Sequence, residues 1–313
     1  MILVTGGAGY TGSVLVSKLL EKGHQVRIVD AMWFGNHLPP HGNLDIKIKT
    51  YDQVNSQDLA GVETVIHLAN IANDPSVELA PVLSWEVNVL NTKMLLDHCR
   101  KAGIKRFIYA SSGSVYGLKS EPNVTEDLDL VPISVYNKTK MVAERVVTSY
   151  QKYFNTYNIR PATVCGYSPR MRFDVVVNMF IKQALLDNKI IVFGGEQIRP
   201  NIHVLDLASI YCHLTENDIA PGDYNAGFEN ISVLDIAKKV LEITGCELEI
   251  RKESNDPRSY RQDSSKLIST GFNPKHDVTY AINELTHAFR TGKLVDDPKW
   301  YTVSWMREIG IGE

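Results

Sequence analysis

Thr5-Gly6-Gly7-Ala8-Gly9-Tyr10-Thr11-Gly12 follows the apolar run Ile2-Leu3-Val4 and precedes helical periodicity over 12–22, ended by Gly23. The segment holds G-x-G-x-x-G as Gly7, Gly9 and Gly12. Between a strand and a helix, such glycines permit a tight turn and bring backbone N–H groups up to a pyrophosphate at the helix start. The third lets helix and strand pack closely. The pattern alone is weak, and its strand–loop–helix setting is what gives it meaning. Gly6, Gly9, Tyr10, Thr11 and Gly12 are therefore candidate dinucleotide contacts.

Asp30 ends the next apolar run, 25–29, eighteen residues after Gly12. A carboxylate there suits a ribose 2′-hydroxyl and repels a 2′-phosphate, and Ala31 and Met32 offer no arginine to receive one. The reading is NAD rather than NADP. Asp52, after 46–48, is a candidate for the adenine edge, with Gln53 beside it.

The apolar runs 64–69, 107–110 and 159–164 are too short for helices and read as buried strands. Amphipathic stretches over 84–102 and 134–154 lie between them. Strand–helix alternation without hairpin signals predicts α/β architecture, a doubly wound parallel sheet of Rossmann type. Beyond 165 the rhythm loosens, with helices expected over 175–186, 233–244 and 278–290 and a strand over 189–193. Ser232 and Asp235 resemble a capping box. The expected division is a nucleotide-binding domain over 1–165, rejoined by about 200–216, and a smaller mixed α/β substrate lobe over 166–313. No period places the tail 293–313.

Lys and Arg number 33 against 36 Asp and Glu in 313 residues, a net charge of -3 without like-charge runs. That balance argues against a nucleic-acid stripe or a polybasic membrane anchor. No apolar run approaches the ~18 residues of a membrane span. The N-terminus enters the first strand directly, unlike a signal peptide. Cys99, Cys165, Cys212 and Cys246 lie far apart, against a zinc site or a disulfide framework. A cytoplasmic protein with reduced, buried thiols and no metal is expected. His67, inside an apolar run, reads as a core histidine rather than a base.

Tyr136 is the only one of fourteen tyrosines with a lysine four residues later, Lys140. On a helix, i and i+4 share a face, so phenol and ammonium can project into one site. A tyrosine of pKa ~10 is a poor base at neutral pH, and a neighbouring cation favours its phenolate. Ser112, after the strand at 107–110, would stand at the carboxyl edge where ligands bind in open α/β sheets.

With these residues the chain resembles the extended short-chain dehydrogenase/reductases, in their nucleotide-sugar epimerase and dehydratase branch. Residues 5–12, 65–69, Asn88, 111–117, 136–140 and 160–166 fall in family order. Arg199-Pro200-Asn201-Ile202-His203-Val204-Leu205-Asp206 is similar to a family segment whose arginine meets the nucleotide diphosphate. The resemblance implies catalysis by Ser112, Tyr136 and Lys140. It implies further cofactor contacts from Leu68, Ala69, Asn70, Asn88, Ala110, Ser111 and Pro161. Substrate contacts would come from Asn73, Ser112, Ser114, Arg172, Asn178, Arg199 and Arg258, since guanidinium forks bind phosphate oxygens bidentately. Family dehydratases carry an Asp-Glu pair after the catalytic hydroxyl residue; here Gly113 and Ser114 stand there, which disfavours dehydration. The stretch 168–178 is similar to a surface-polysaccharide subgroup that includes the GDP-heptose 4-dehydrogenases. The expectation is an NAD-dependent enzyme oxidising a sugar hydroxyl at C4 of a nucleotide-diphosphate sugar, as 4-epimerase or as net 4-dehydrogenase. A non-catalytic dinucleotide sensor is the rival from another class. Family analogy also implies a homodimer through the helices near 84–102 and 134–154.

Overall fold

The structure, a computed structural model, describes residues 1–252 and 259–312. Strands β1 (Ile2–Thr5), β2 (Val26–Asp30), β3 (Leu44–Ile48), β4 (Thr64–His67), β5 (Arg106–Ala110) and β6 (Asn155–Pro161) belong to one sheet. β7 (Thr163–Cys165), β8 (Lys189–Phe193) and β9 (Ile198–His203) lie outside it, and β10 (Gly222–Ala226) rejoins it. β11 (Glu229–Ser232) and β12 (Glu247–Arg251) complete the strands described. The large sheet runs β3-β2-β1-β4-β5-β6-β10, every pairing parallel. β1 and β4 are buried throughout, as apolar strands covered on both faces must be. A three-stranded sheet, β7-β9-β11, and a parallel pair, β8 with β12, lie outside the large sheet. This is a doubly wound α/β fold with small additional sheets.

Helices α1 (Tyr10–Glu21), α2 (Asp74–Leu79), α3 (Pro81–Trp85), α4 (Thr92–Ala102) and α5 (Val135–Ser149) connect the first strands. α6 (Val176–Lys182), α7 (Val204–Glu216), α8 (Val233–Thr244), α9 (Ser265–Ile268), α10 (Val278–Arg290) and α11 (Thr302–Glu308) follow. α1 and α7 pack together over one face of the large sheet, burying Leu15, Leu19, Ile28 and Ile210 in one core. α4 and α5 cover the other, where Leu95, Leu96, Phe107 and Val147 pack. Caps fix where helices begin. Ser134 accepts the Asn137 N–H at 3.1 Å, Ser232 the Asp235 N–H at 3.0 Å and Asp277 the Tyr280 N–H at 2.7 Å. Each such cap is worth ~1 kcal/mol. Asp235 receives the Ser232 hydroxyl rather than closing a reciprocal box onto its backbone.

Several boundaries differ from the sequence reading. The run 159–164 is two strands in two sheets: the chain leaves the large sheet after Pro161 and starts the small one at Thr163. The helix expected over 84–102 begins at Pro81 and carries a π-turn, Glu86–Asn91, before α4. The tail forms α11, which packs on α2. No helix is long and apolar enough to cross a membrane among the described residues. All four cysteines are free and buried.

Strand order reverses where β1 lies between β2 and β4. Such a switch point opens a crevice beyond the strand carboxyl ends, and that is where the site lies.

Candidate active site

At the end of β1 the chain turns through Gly6 (φ +72), where a Cβ would stand 2.6 Å from the Ala69 nitrogen. At Gly12 a Cβ would fall 2.1 Å from the Gly6 carbonyl oxygen. No other residue fits either position, so glycine holds the loops after β1 and β4 together. Gly9 caps α1 without a side-chain acceptor, leaving first-turn N–H groups for a ligand. One continuous cleft runs from this turn in two directions.

Toward the β2 end it is lined by Asp30, Tyr51, Asp52 and Ala69. The Asp30 carboxylate accepts the Ala8 N–H at 2.9 Å and the Met32 N–H at 2.8 Å. Burial raises its pKa, while those two N–H donors oppose the shift. Leu68 and Asn70 border both arms. The Asn70 amide is shielded and has no protein hydrogen-bond partner of normal geometry, as expected of a group that awaits a ligand. The closed glycine turn, the acid at the far end and this amide together suit an adenine dinucleotide.

Toward β5 the lining includes Ala110, Ser111, Tyr136, Lys140 and Pro161. Ser112 extends from the end of β5, and its hydroxyl lies 2.7 Å from that of Ser114. Tyr136 and Lys140 project from the first turns of α5 on one face, with Lys140 Nζ 5.9 Å from the phenol ring centre. Nζ donates to the Ala110 carbonyl at 2.7 Å, which fixes the ammonium at the strand edge. Burial pushes the Lys140 pKa down to about 7, against support from Glu144. Burial also raises that of Tyr136; the Ser112 hydroxyl and the Arg172 charge pull it back. Serine, phenol and lysine thus converge beside the cleft, an arrangement able to remove a proton from a bound hydroxyl.

The remaining expected residues divide. Arg172 lines the cleft and holds Asp174 through two bonds of 2.8 Å. Asn73 donates to Asp174 at 2.6 Å, and with Arg199 it borders an adjoining pocket. Tyr10 lines the cleft with its hydroxyl tied to the Gly166 carbonyl at 2.7 Å. Three expected residues stand apart from the cleft lining. Asn88 does not reach the cleft, because its amide bonds the Ile71 backbone at 2.9 and 3.0 Å and Thr139 at 3.1 Å. It shapes the loop after β4 instead. Asn178 is fully buried and bonds Gly166, Tyr10 and the Arg172 carbonyl, so no amide proton remains for a diphosphate. Gln53 is exposed and outside the cleft lining. Arg258 lies outside the described residues.

His67 is buried, with its ring nitrogens 2.6 Å from Thr5 and 2.9 Å from Thr92 hydroxyls, and burial holds its pKa near 3. It is a neutral core residue. Sequence reasoning missed Arg170, Trp33, Phe34, Thr302 and Met306, all of which line the cleft. They come from irregular loops and the tail, where no periodicity marks a functional side. Among the described residues, no His, Cys, Asp and Glu cluster could hold a metal.

Fold and site together define a dinucleotide-binding α/β protein with a Ser/Tyr/Lys constellation. The NAD-dependent epimerase/dehydratase family model matches residues 2–227, and the chain belongs to that family. UDP-glucose 4-epimerase of Corynebacterium glutamicum is 29% identical over 317 residues, covering 92% of this chain and 95% of the relative. UDP-glucuronic acid decarboxylase 1 of Arabidopsis thaliana is 30% identical over 313 residues, covering 95% of this chain and 71% of the relative. The solved UDP-glucuronic acid 4-epimerase of Bacillus cereus, bound to UDP-glucuronic acid and NAD, superposes with a TM-score of 0.82. It is 26% identical and covers 93% of this chain and 99% of that one.

Proposed function

We propose that this protein is an NAD-dependent 4-epimerase of a nucleotide-diphosphate sugar. The observation that carries the reading is the convergence of Tyr136 and Lys140 on the cleft that the glycine turn opens, with the Ser112 hydroxyl beside the phenol. Gly6, Gly9, Thr11, Gly12, Asp30, Asp52, Leu68, Ala69, Asn70 and Lys140 would hold the dinucleotide. When bound, NAD supplies a hydride acceptor that can return what it takes.

The chain's own residues move and hold the proton. Ser112 Oγ receives the sugar C4 hydroxyl in a hydrogen bond, and Tyr136 Oη takes its proton as general base. In its protonated form Lys140, anchored to the Ala110 carbonyl, places a positive charge beside the phenol and favours its ionised form. After the keto-sugar has turned over in the pocket, the Tyr136 hydroxyl returns the proton from the same position. Arg172 and Arg199 are proposed to meet the substrate's diphosphate or sugar, and Asn73 and Ser114 to orient the sugar.

Dehydration has no support here, because Gly113 and Ser114 offer no acid–base pair beside Ser112. The similarity of 168–178 to GDP-heptose 4-dehydrogenases supports a second reading, net oxidation at C4, and a role in surface-polysaccharide synthesis. Incubation with UDP-glucose, UDP-glucuronic acid and a GDP-heptose, followed by chromatography, separates these readings. A C4 epimer from one of them is the expected product. A 4-keto sugar formed with equimolar NADH establishes the dehydrogenase, and a pentose with carbon dioxide establishes a decarboxylase. A homodimer is proposed on the row Trp85, Leu90 and Met94, which leaves apolar surface exposed along the α3–α4 segment. Light scattering at twice the chain mass is the expected result, and a monomer contradicts it.

A further inference from the structure

Arg170 is 3% exposed, yet its guanidinium has few partners. One nitrogen donates to the Thr302 hydroxyl at 3.4 Å, Nε bonds nothing, and Cζ stands 3.8 Å from the centre of the Phe34 ring. Among the described residues, no carboxylate forms an ion pair with it. Arg160 and Arg172 are treated differently. Arg160 holds Glu144 through two bonds of 3.0 Å and Asp223 through one of 2.8 Å. Arg172 holds Asp174 bidentately.

A buried charge without a counter-charge is costly, and contact with a ring face offsets only part of that cost. Burial, with the like charge of Arg172, pushes the Arg170 pKa down to about 9, against the more distant charges of Asp174 and Asp30, neither of which reaches it in an ion pair. No carboxylate meets its fork directly, so an anion in the cleft would supply the contact it lacks. Arg170 lines the same cleft as Gly6, Gly9 and Gly12, where the first turn of α1 has no side-chain cap. It is absent from the lining of the adjoining pocket that Arg199, Asn73 and Asp174 border. The dianion nearest to hand in chemistry is therefore a dinucleotide's diphosphate.

We propose that Arg170 is the counter-charge for the diphosphate of the bound dinucleotide, with the uncapped start of α1 supplying the neutral donors. The proposal rests on the NAD reading given above. Arg170 fits that task because its fork can bond two phosphate oxygens at once while Phe34 and Thr302 hold its plane.

The test compares wild type with Arg170→Met and Arg170→Lys, stripped of nucleotide, by calorimetric titration with NAD, adenosine and UDP. Arg170→Met is expected to weaken NAD roughly ten- to hundredfold, the usual effect of losing charge-assisted hydrogen bonds. Adenosine and UDP affinities should stay unchanged, and Arg170→Lys should recover part of the loss. The nucleotide-free Met variant should melt at or above the wild-type temperature, since an unpaired buried charge has gone. Unchanged NAD affinity overturns the proposal, as does an equal loss of NAD and adenosine. Weakened UDP with NAD unaffected assigns the charge to the sugar nucleotide and also overturns it. A lower melting temperature of the nucleotide-free Met variant points to a structural role and counts against it. Wild type that binds no NAD removes the underlying reading and this proposal together.

Discussion

Tyr136 and Lys140 stand next to each other only because four residues make one helical turn, and Ser112 meets them only because β5 ends beneath α5. Tyr136→Phe keeps the ring and removes the proton acceptor. Turnover should fall by ~10³-fold or more with NAD still bound, measured by product formation and by cofactor content. Unchanged turnover would remove Tyr136 as the base. Lys140 carries a second prediction. Its folded pKa, about 7, lies below the value near 10.5 that it has when exposed. Between those values the unfolded chain binds the extra proton, so the nucleotide-free protein should gain stability as pH rises from 7 toward 10. The slope should be on the order of 1 kcal/mol per pH unit, and below pH 7 the destabilisation is fully present. Lys140→Met should abolish this dependence in denaturant titrations, and an unchanged slope would contradict it. Asp30→Ala should narrow the preference for NAD over NADP in binding titrations, because the carboxylate no longer repels a 2′-phosphate. An unaltered ratio would mean that Asp30 does not read the ribose. Of the single residues, those in short contiguous motifs were legible in the sequence. Asn88 and Asn178 were misplaced because a sequence position gives no account of which backbone groups will claim an amide.

At the scale of elements, apolar strands such as β1, β4 and β5 and the helices that cover them could be read, since burial on both faces leaves an uninterrupted pattern. β9, β10 and β11 could not: Arg199, Asn201, Asp223, Asn225 and Asn230 break the apolar pattern, yet they sit in strands. Their polarity has a use, as Asp223 and Asn225 join Arg160, Tyr116 and Gln262 in a buried network beneath the site. The tail was equally opaque. α11 reaches back across the molecule, where the Trp305 indole donates to the Trp33 carbonyl at 2.6 Å and Met306 packs with Ile71 and Val77. It thereby holds the loop that carries Trp33 and Phe34 over the cleft. Trp305→Ala should destabilise the protein by roughly 1–3 kcal/mol and speed NAD loss on dilution. Stability lost without faster NAD release would show that α11 supports the fold but not the cleft.

For the whole molecule, one parallel sheet sets the glycine turn and the proposed base, Tyr136, at the same carboxyl edge, so the proposed binding and chemistry share a single crevice. The loop after β7 brings Arg170 and Arg172 to that crevice, and β9 brings Arg199 to the adjoining pocket, all from residues far along the chain. The reading as an epimerase requires that oxidation and reduction balance within each turnover. The most direct measurement follows absorbance at 340 nm while proton NMR records the sugar, using catalytic amounts of protein and whichever nucleotide sugar it consumes. An epimerase brings either C4 epimer to one equilibrium mixture with no rise at 340 nm beyond the enzyme concentration, and that is the expected result. Absorbance that grows in step with substrate consumed, alongside a 4-keto product, would contradict it.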